Sequence, residues 1–246
     1  NNGQGAVWVF TRSAGVWSQQ GAKIVGTGNI GPAYQGRSVS LSADGNTAVF
    51  GGPEDNTSMG AAWVFTRNTG VWSQQGAKIV GTGGVDNPNF GISVSLSADG
   101  NTAVFGGPED NSSMGAAWVF TRNTGIWSQQ GAKIVGTGGI DTPSLGESVN
   151  LSANGNYAIL GGPYDDQSID DGIGAAWVFN GALEVSTVPT ITSFSPLSGA
   201  VGETVTITGT SFNTTAANNV VFFGATQATV SASTATSITV TVPIGS

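Results

Sequence analysis

A repeat of 55 residues constrains this 246-residue chain more than any other feature. The tripeptide Trp-Val-Phe begins at spacings of 55, 55 and 59 residues, at Trp8, Trp63, Trp118 and Trp177. The stretch SADGNTAVFGGPED occurs twice without change, starting at Ser42 and at Ser97. Self-similarity at a fixed period indicates that each copy is one supersecondary unit that stacks on its neighbours.

One period contains four strand candidates. SVSLS alternates between polar and apolar residues, and the turn at Asp99-Gly100 joins it to TAVFGG, as in a tight hairpin. AAWVFTR follows, and Asn123-Thr124-Gly125 leads into IWSQQGAKIVG. Four strands in about fifty residues is the size of one propeller blade. Thirteen such candidates predict three blades and one additional strand, in a small or incomplete ring whose terminal strands could complete a shared blade.

The composition excludes several classes of function. Charged residues make up 9% of the chain, the net charge is −8, and the few basic residues form no cluster that could neutralise nucleic-acid phosphates. The absence of His and Cys excludes a Ser-His-Asp triad, a Cys nucleophile and thiolate metal sites. No run of eighteen apolar residues is present, so we expect no membrane span. With 39 Gly and recurrent β-branched alternation, the chain is predicted to be all-β.

The segment from Phe90 to Phe120 resembles an FG-GAP repeat, the blade unit of integrin-α-type β-propellers. Phe90-Gly91 corresponds to the FG, and Gly106-Gly107-Pro108 stands where that family has its GAP. The other two repeats have Gln35-Gly36 and Leu145-Gly146 in place of the FG. The resemblance implies a propeller-like array of about three four-stranded blades.

Calcium-binding members of that family carry a longer loop, D-x-[DN]-x-D-G-x-x-D, between their first two strands. Calcium takes six to eight oxygen ligands, several of them from carboxylates. Here the loop is reduced to residues 98–101, with one carboxylate, and the third repeat has Asn154 instead. We therefore expect no calcium at Asp44 or Asp99.

The acidic residues that do not repeat lie in the enlarged loop of the last repeat, where YDDQSIDDGI replaces EDNSSM. Four carboxylates within seven residues are candidate calcium ligands, namely Asp165, Asp166, Asp170 and Asp171. The alternative is a solvated turn. The remaining repeated acids form register pairs, which favours loop chemistry over a single asymmetric catalytic site: Asp44/Asp99, Glu54/Glu109, Asp55/Asp110 and Asp86/Asp141. We expect no enzymatic activity, and no cofactor other than calcium.

The seven Trp residues all keep the repeat register, four in WVF and three in VWSQQ or IWSQQ. An aromatic side chain that every blade requires is more often part of the packing than a ligand site. We therefore expect the Trp side chains to pack within and between sheets. Exposed Trp faces that stack on sugars are the alternative.

A second domain follows the repeats. We assign residues 1–181 to the repeats, 182–188 to a linker and 189–246 to a second, incomplete domain. PTITSFSPLSGAVGETVTITGTSF, VVFFGATQATV and SITVTVP resemble an IPT/TIG domain, an immunoglobulin-like β-sandwich. The markers are Ser195-Pro196, Ser198-Gly199, Gly202, Phe223-Gly224 and Val242-Pro243.

About five strands can be counted in this second domain, where a sandwich of this type has seven or so. An incomplete sandwich leaves unpaired backbone groups along an edge, and these pair readily with another chain. We expect the strand at residues 236–242 to be such an edge and to pair with a segment from outside residues 187–246. The N-terminal segment NNGQGAVWVF is a candidate donor.

These features predict a non-enzymatic protein, extracellular or on the surface of a bacterial cell, with a structural or adhesive role. It would be a subunit or fragment of a surface layer, appendage or filament. The expected partners are other copies or further domains of a longer chain, with surface glycans as a further candidate. The alternative function is a carbohydrate-binding module that uses exposed Trp or the Asp-rich loop, and an enzyme ranks third.

Overall fold

The computed structural model describes residues 2–166, 173–180, 190–210 and 212–245. The chain divides into two compact units, Asn1–Val185 and Ser186–Ser246. Their described residues form antiparallel sheets joined by turns, and their helical segments span four residues or fewer, so the predicted all-β class is confirmed. The predicted linker, 182–188, lies outside the described residues.

The first unit consists of four small antiparallel sheets in which consecutive strands pair. We call these sheets blades 0 to 3, in chain order. Blade 0 contains β1 (Phe10–Ser13) and β2 (Val16–Gln19). Blade 1 contains β3 (Ser38–Leu41), β4 (Thr47–Gly52), β5 (Ala61–Asn68) and β6 (Val71–Gln74). Blade 2 contains β7 (Ser93–Leu96), β8 (Thr102–Gly107), β9 (Ala116–Asn123) and β10 (Ile126–Gln129), and blade 3 contains β11 (Ser148–Leu151), β12 (Tyr157–Gly162) and β13 (Ala175–Asn180).

The thirteen strands are those that the repeat predicted, but their grouping differs from three complete blades. Blades 1 and 2 have all four strands, and blade 3 has the first three strand types among its described residues. Blade 0 has the third and fourth types only. The WVF strand of blade 0 therefore has a partner on one side, whereas β5 and β9 are paired on both sides.

Consecutive blades pack face to face because side chains alternate across each strand. We call the side of a blade that faces the next blade its back face and the opposite side its front face. Val49 and Val64, on the back face of blade 1, are fully buried in one cluster with Leu96, Phe105 and Trp118 from the front face of blade 2. Blade 2 packs on blade 3 in the same way. The apolar core of the first unit thus lies between blades as well as within them.

The loops between the second and third strands of blades 1 and 2 contain short helical turns, Asp55–Ser58 and Asp110–Ser113. Asn56 and Thr57 in the first turn have φ angles of 51° and 58°. Residues with positive φ break a right-handed helix at once. The turns therefore reverse the chain and do not extend into helices.

The second unit is one five-stranded sheet in the order β14-β15-β18-β17-β16. Its strands are β14 (Thr190–Ser195), β15 (Thr204–Thr210), β16 (Val221–Phe223), β17 (Thr226–Ser233) and β18 (Ser237–Thr241), with a 3₁₀ helix at Ala216–Asn218. Val205, Ile207, Ile238 and Val240 are buried in its core. The count of five strands agrees with the number expected from the sequence.

The prediction that residues 236–242 form a sheet edge is wrong. β18 lies in the middle of the sheet and pairs with β15 on one side and β17 on the other. The long-range pairing with β15 places it there, and local sequence does not encode that pairing. The proposed donor segment is also engaged elsewhere, because Val7 exchanges backbone hydrogen bonds with Ile24 and Phe10 pairs with Gln19.

Candidate functional site

A polar joint recurs between consecutive blades of the first unit. Gln75 Oε1 accepts hydrogen bonds from Arg122 Nη1 and Trp127 Nε1 of the next blade, both at 3.1 Å. The Arg122 guanidinium carbon lies 5.5 Å from the Trp127 ring centroid, within the range of a cation–π contact. Gln20 accepts the same pair of hydrogen bonds from Arg67 and Trp72, at 3.2 and 3.1 Å. The joint thus uses three side chains of each repeat to fix one blade on the next.

The third copy of this joint lacks its donors in the described residues. Gln130 corresponds to Gln20 and Gln75, and its side chain is buried with 8% of the residue exposed. Its Oε1 has no hydrogen-bond partner. The position that corresponds to Arg122 is Gly181 in the sequence, which cannot donate from a side chain. A buried acceptor without a donor costs about 1–3 kcal/mol, so this atom marks an incomplete contact.

Two buried ion pairs hold the connecting loops to the blades. Asp110 is fully buried, its Oδ1 accepts a hydrogen bond from the Val85 N–H at 2.7 Å, and its Oδ2 forms an ion pair with Lys133. Asp55 makes the same contacts with the Ile30 N–H and Lys78. Both oxygens of each carboxylate are occupied by structural partners. These acids therefore position loops, and neither presents a free oxygen to a substrate.

The acidic loop of the last repeat contains a third member of this series. Asp165 lies 55 residues after Asp110, and its Oδ1 accepts a hydrogen bond from the Ile140 N–H at 2.7 Å. The sequence interpretation treated Asp165 as unrepeated, although its spacing from Asp110 was visible. No lysine pairs with Asp165 among the described residues, because the position corresponding to Lys133 is Val188.

The remaining proposed calcium ligands are only partly described. Asp166 follows Asp165 in a turn with a φ of 51°, whereas Asp170 and Asp171 lie outside the described residues. Within the described ranges, no three His, Cys, Asp or Glu side chains come together as a metal site. Calcium binding by this loop stays a prediction.

The hairpin turns at Asp44 and Asp99 satisfy their own carboxylates. Asp44 accepts hydrogen bonds from Ser42 Oγ at 2.5 Å, Asn46 N at 2.9 Å and Asn46 Nδ2 at 3.0 Å. The hydrogen bond from Ser42 and those from Asn46 lower the pKa of Asp44 from 3.8 to about 2. Burial raises the pKa of Asp99, but its hydrogen bonds and the charge of Arg122 outweigh this, and the net shift is downward.

The third repeat shows that this turn does not need a carboxylate. Asn154 replaces the aspartate, and its Oδ1 accepts from Ser152 Oγ at 2.6 Å and from Asn156 N at 3.1 Å. One amide oxygen thus closes the same hairpin without a charge. The conserved geometry is that of a turn whose polar groups bond one another.

The Trp side chains follow the packing interpretation where both neighbouring blades are present. Trp63 and Trp118 are fully buried, and their Nε1 atoms donate to the carbonyl oxygens of Thr27 and Thr82 at 2.8 Å. In contrast, 52% of Trp8 and 65% of Trp17, both from blade 0, are exposed. The repeat sequence could not distinguish these copies, because exposure depends on which blades surround them.

The second unit has an apolar groove of about 530 Å³. Its walls include Ile191, Phe194, Leu197, Phe222 and Val242, and none of its lining residues carries an ionisable side chain. Such a groove offers no general acid, general base or charged ligand. The sequence did not predict it, since it forms between strands that are distant in the chain.

Comparison with known proteins identifies the second unit only. The IPT/TIG domain family matches residues 189–246, as the sequence markers suggested. No FG-GAP family match accompanies it. A search of curated protein sequences gives no match.

Several solved structures resemble the chain at low identity. A protein assigned as TolB from Agrobacterium tumefaciens is 14% identical, with a TM-score of 0.39, over 82% of this chain and 65% of that one. KlAtg21 in complex with the coiled coil of AgAtg16 is 13% identical, with a TM-score of 0.41, over 70% and 50%. Kuenenia stuttgartiensis hydrazine synthase is 18% identical, with a TM-score of 0.37, over 74% and 46%. The chain thus spans less than two thirds of each, and likenesses this distant carry no functional argument.

The described residues contain no helix long and apolar enough to cross a membrane.

Proposed function

We propose that this chain is a non-enzymatic structural or adhesive protein, extracellular or on a bacterial cell surface, built from FG-GAP-type blades followed by an IPT/TIG domain. It would contribute to a surface layer, appendage or filament. IPT/TIG domains are often found in extracellular and adhesive proteins, and the match to residues 189–246 supports this setting. The order of FG-like, Asp-Gly and Gly-Gly-Pro elements supports the FG-GAP assignment.

One observation carries the proposal: the repeat places its conserved polar side chains in joints between and within blades. Gln75, Arg122 and Trp127 bind one another across a blade boundary, and Asp110 is enclosed by Lys133 and a backbone N–H. Catalytic sites usually leave a functional group free to reach a substrate. Residues used in this way stabilise an array.

The phenylalanine of the FG motif also has a packing role. Phe90 is buried, and its ring lies 4.9 Å from that of Phe105 and 5.5 Å from that of Trp118. In the first repeat Gln35 is buried instead, and its amide exchanges hydrogen bonds of 2.7 and 3.0 Å with the Gly26 backbone. The motif thus closes the blade in two chemically different ways, neither of which exposes a binding group.

The test is to incubate the purified chain across a range of concentrations and to follow assembly by light scattering and electron microscopy. The proposal predicts ordered particles or fibres whose amount rises with concentration. A protein that stays monomeric and hydrolyses a defined substrate would contradict it.

A second candidate is a carbohydrate-binding module, because Trp8 and Trp17 expose their rings. Their counterparts Trp63 and Trp118, and Trp72 and Trp127, pack inside the array, so the exposed pair has the pattern of an uncovered packing surface. Glycan-array binding that is lost in Trp17→Ala but kept in Tyr164→Ala, a control at another exposed aromatic residue, would favour the lectin over the structural role.

A further inference from the structure

Blade 0 and blade 3 are complementary halves of one blade. Blade 0 provides the third and fourth strand types, in β1 and β2, and blade 3 provides the first and second in β11 and β12. The third strand type is present in both. β13 carries Trp177-Val178-Phe179, and the corresponding residues of the first repeat are Trp8-Val9-Phe10. The hairpin β1–β2 therefore has the sequence needed to take the place of β13 and to add the strand that follows it.

The orphaned oxygen of Gln130 is matched by unused donors in blade 0. In the complete joints the acceptor Gln precedes its Arg by 47 residues and its Trp by 52. Arg12 and Trp17 hold the same positions in blade 0 as Arg122 and Trp127 in blade 2. Arg12 donates only a long 3.4 Å hydrogen bond to its own turn at Gly15, and Trp17 is largely exposed. Blade 0 thus offers the two donors that Gln130 lacks.

The charges match in the same register. Lys78 and Lys133 each pair with an aspartate in the loop of their own blade. Lys23 is their counterpart in blade 0 and is exposed, with no ion pair among the described residues. Asp165 is the counterpart of their aspartates and has no lysine. A blade made from β11, β12, β1 and β2 would bring Lys23 and Asp165 together.

The apolar faces agree with this arrangement. Leu41, on the front face of blade 1, is 53% exposed, whereas its counterparts Leu96 and Leu151 are each 7% exposed. Ile159, on the back face of blade 3, is 46% exposed, whereas its counterpart Val49 is fully buried. Each exposed residue faces the position where the internal blades have a neighbour. Repeat arrays normally cover their ends with polar surface, and these two ends are apolar.

We propose that two copies of the chain complete one another by exchanging blade halves: the β1–β2 hairpin of each copy adds to β12 of the other, in place of β13. Each copy then contributes two complete blades and one half of each of two shared blades, which gives a ring of six. Closure within one copy would give three blades, fewer than the usual four to eight. The exchange is a domain swap between identical chains. It rests on the proposed structural role, because it names a second copy as the partner.

Charge reversal tests the junction between Lys23 and Asp165. Like charges placed at both junctions of the dimer should raise the dissociation constant of Lys23→Glu or Asp165→Lys by at least about tenfold. The double variant Lys23→Glu/Asp165→Lys restores opposite charges and should recover most of the wild-type affinity in sedimentation equilibrium. Glu109→Lys, an exposed residue of blade 2, is the matched control and should leave association unchanged.

An engineered disulfide tests the strand exchange independently. Thr47 pairs with Thr66 in blade 1, and the corresponding residues of the shared blade are Tyr157 and Thr11. The chain has no cysteine, so Thr11→Cys/Tyr157→Cys provides its only thiols. Mild oxidation should yield a covalent dimer on a non-reducing gel, whereas each single variant under the same conditions should remain largely uncrosslinked.

Several outcomes would overturn the exchange. These are a wild-type chain that stays monomeric at about 100 µM, association that ignores both single charge reversals, or a double cysteine variant that forms no intermolecular disulfide while its circular dichroism shows a folded protein. A monomer would indicate that other repeats of a longer polypeptide cover these surfaces. Filaments formed by such a monomer would leave the structural role intact, whereas a six-bladed dimer that turns over a substrate would reject the role and keep the exchange.

Discussion

Gly106 of blade 2 lies against the carbonyl oxygen of Gly146 in blade 3, so closely that a Cβ on Gly106 would be 1.9 Å from that oxygen. Ser93 Oγ donates to the same oxygen at 2.7 Å. Gly51, Gly91 and Ser38 repeat the arrangement between blades 1 and 2. The second glycine of TAVFGG's neighbour blade and the first glycine of its own strand thus set the distance between blades.

Gly106→Ala should therefore destabilise the chain. The added methyl group meets backbone atoms that cannot move without separating the blades, and we expect a loss of about 2 kcal/mol or more in urea unfolding. Gly161→Ala is the matched control in blade 3, where the nearest atom is the rotatable Ser148 Oγ and no further blade follows among the described residues. Equal losses in the two variants, measured in dilute solution, would contradict this explanation.

Asp110→Asn should also destabilise the chain, because it leaves the Lys133 charge in a site where only 18% of its side chain is exposed. Breaking one partner of a buried pair is strongly unfavourable, and we expect about 2–4 kcal/mol in the free energy of unfolding. Asp165→Asn should cost much less, since the amide oxygen can still accept from the Ile140 N–H and no lysine is left unpaired. A comparison of the two denaturation midpoints checks this.

The hairpin turns predict a pH dependence at low pH. The pKa of Asp44 is lowered from 3.8 to about 2 in the folded chain, and that of Asp99 is lowered as well. A carboxyl group whose pKa is depressed by folding stabilises the fold above its unfolded pKa, and this contribution is lost as the pH falls through the folded value. Melting temperatures should therefore fall between pH 4 and pH 2, and the fall should be smaller in Asp44→Asn/Asp99→Asn. A steeper fall in the variant would refute the assignment. Asn154 is a natural precedent for this replacement.

Calcium titration should reveal at most one site per chain. The carboxylates of Asp44 and Asp99 accept hydrogen bonds within their own turns and have no neighbouring carboxylates to share an ion. If a site exists, it lies near Asp165–Asp171, and Asp165→Asn/Asp166→Asn should weaken it in isothermal calorimetry. Two or more tight sites per chain would disprove the prediction.

The sequence predicted the strands well because their signal is local. Alternation in SVSLS and the Asp99-Gly100 turn are readable in any one repeat, and the 55-residue spacing confirms them twice. The buried ion pairs were half visible. Asp55 and Lys78 were each recognised as repeat positions, but their 23-residue separation says nothing of contact until the blade folds.

Long-range relationships were beyond the sequence. Residues 236–242 carry the alternation of any strand, and only the pairing of β18 with both β15 and β17 reveals that they are central. Trp8 and Trp63 have the same local sequence, yet one is 52% exposed and the other is buried. Burial of a repeated residue depends on the neighbouring blade, which local sequence does not specify.

The mass of the native particle is the most direct test of the account. Native mass spectrometry of the purified chain should give a species of twice the 24.6 kDa chain mass, with a proportion that rises with concentration in the micromolar range. A single-chain mass at every concentration up to about 100 µM would contradict an array that is completed by a second copy.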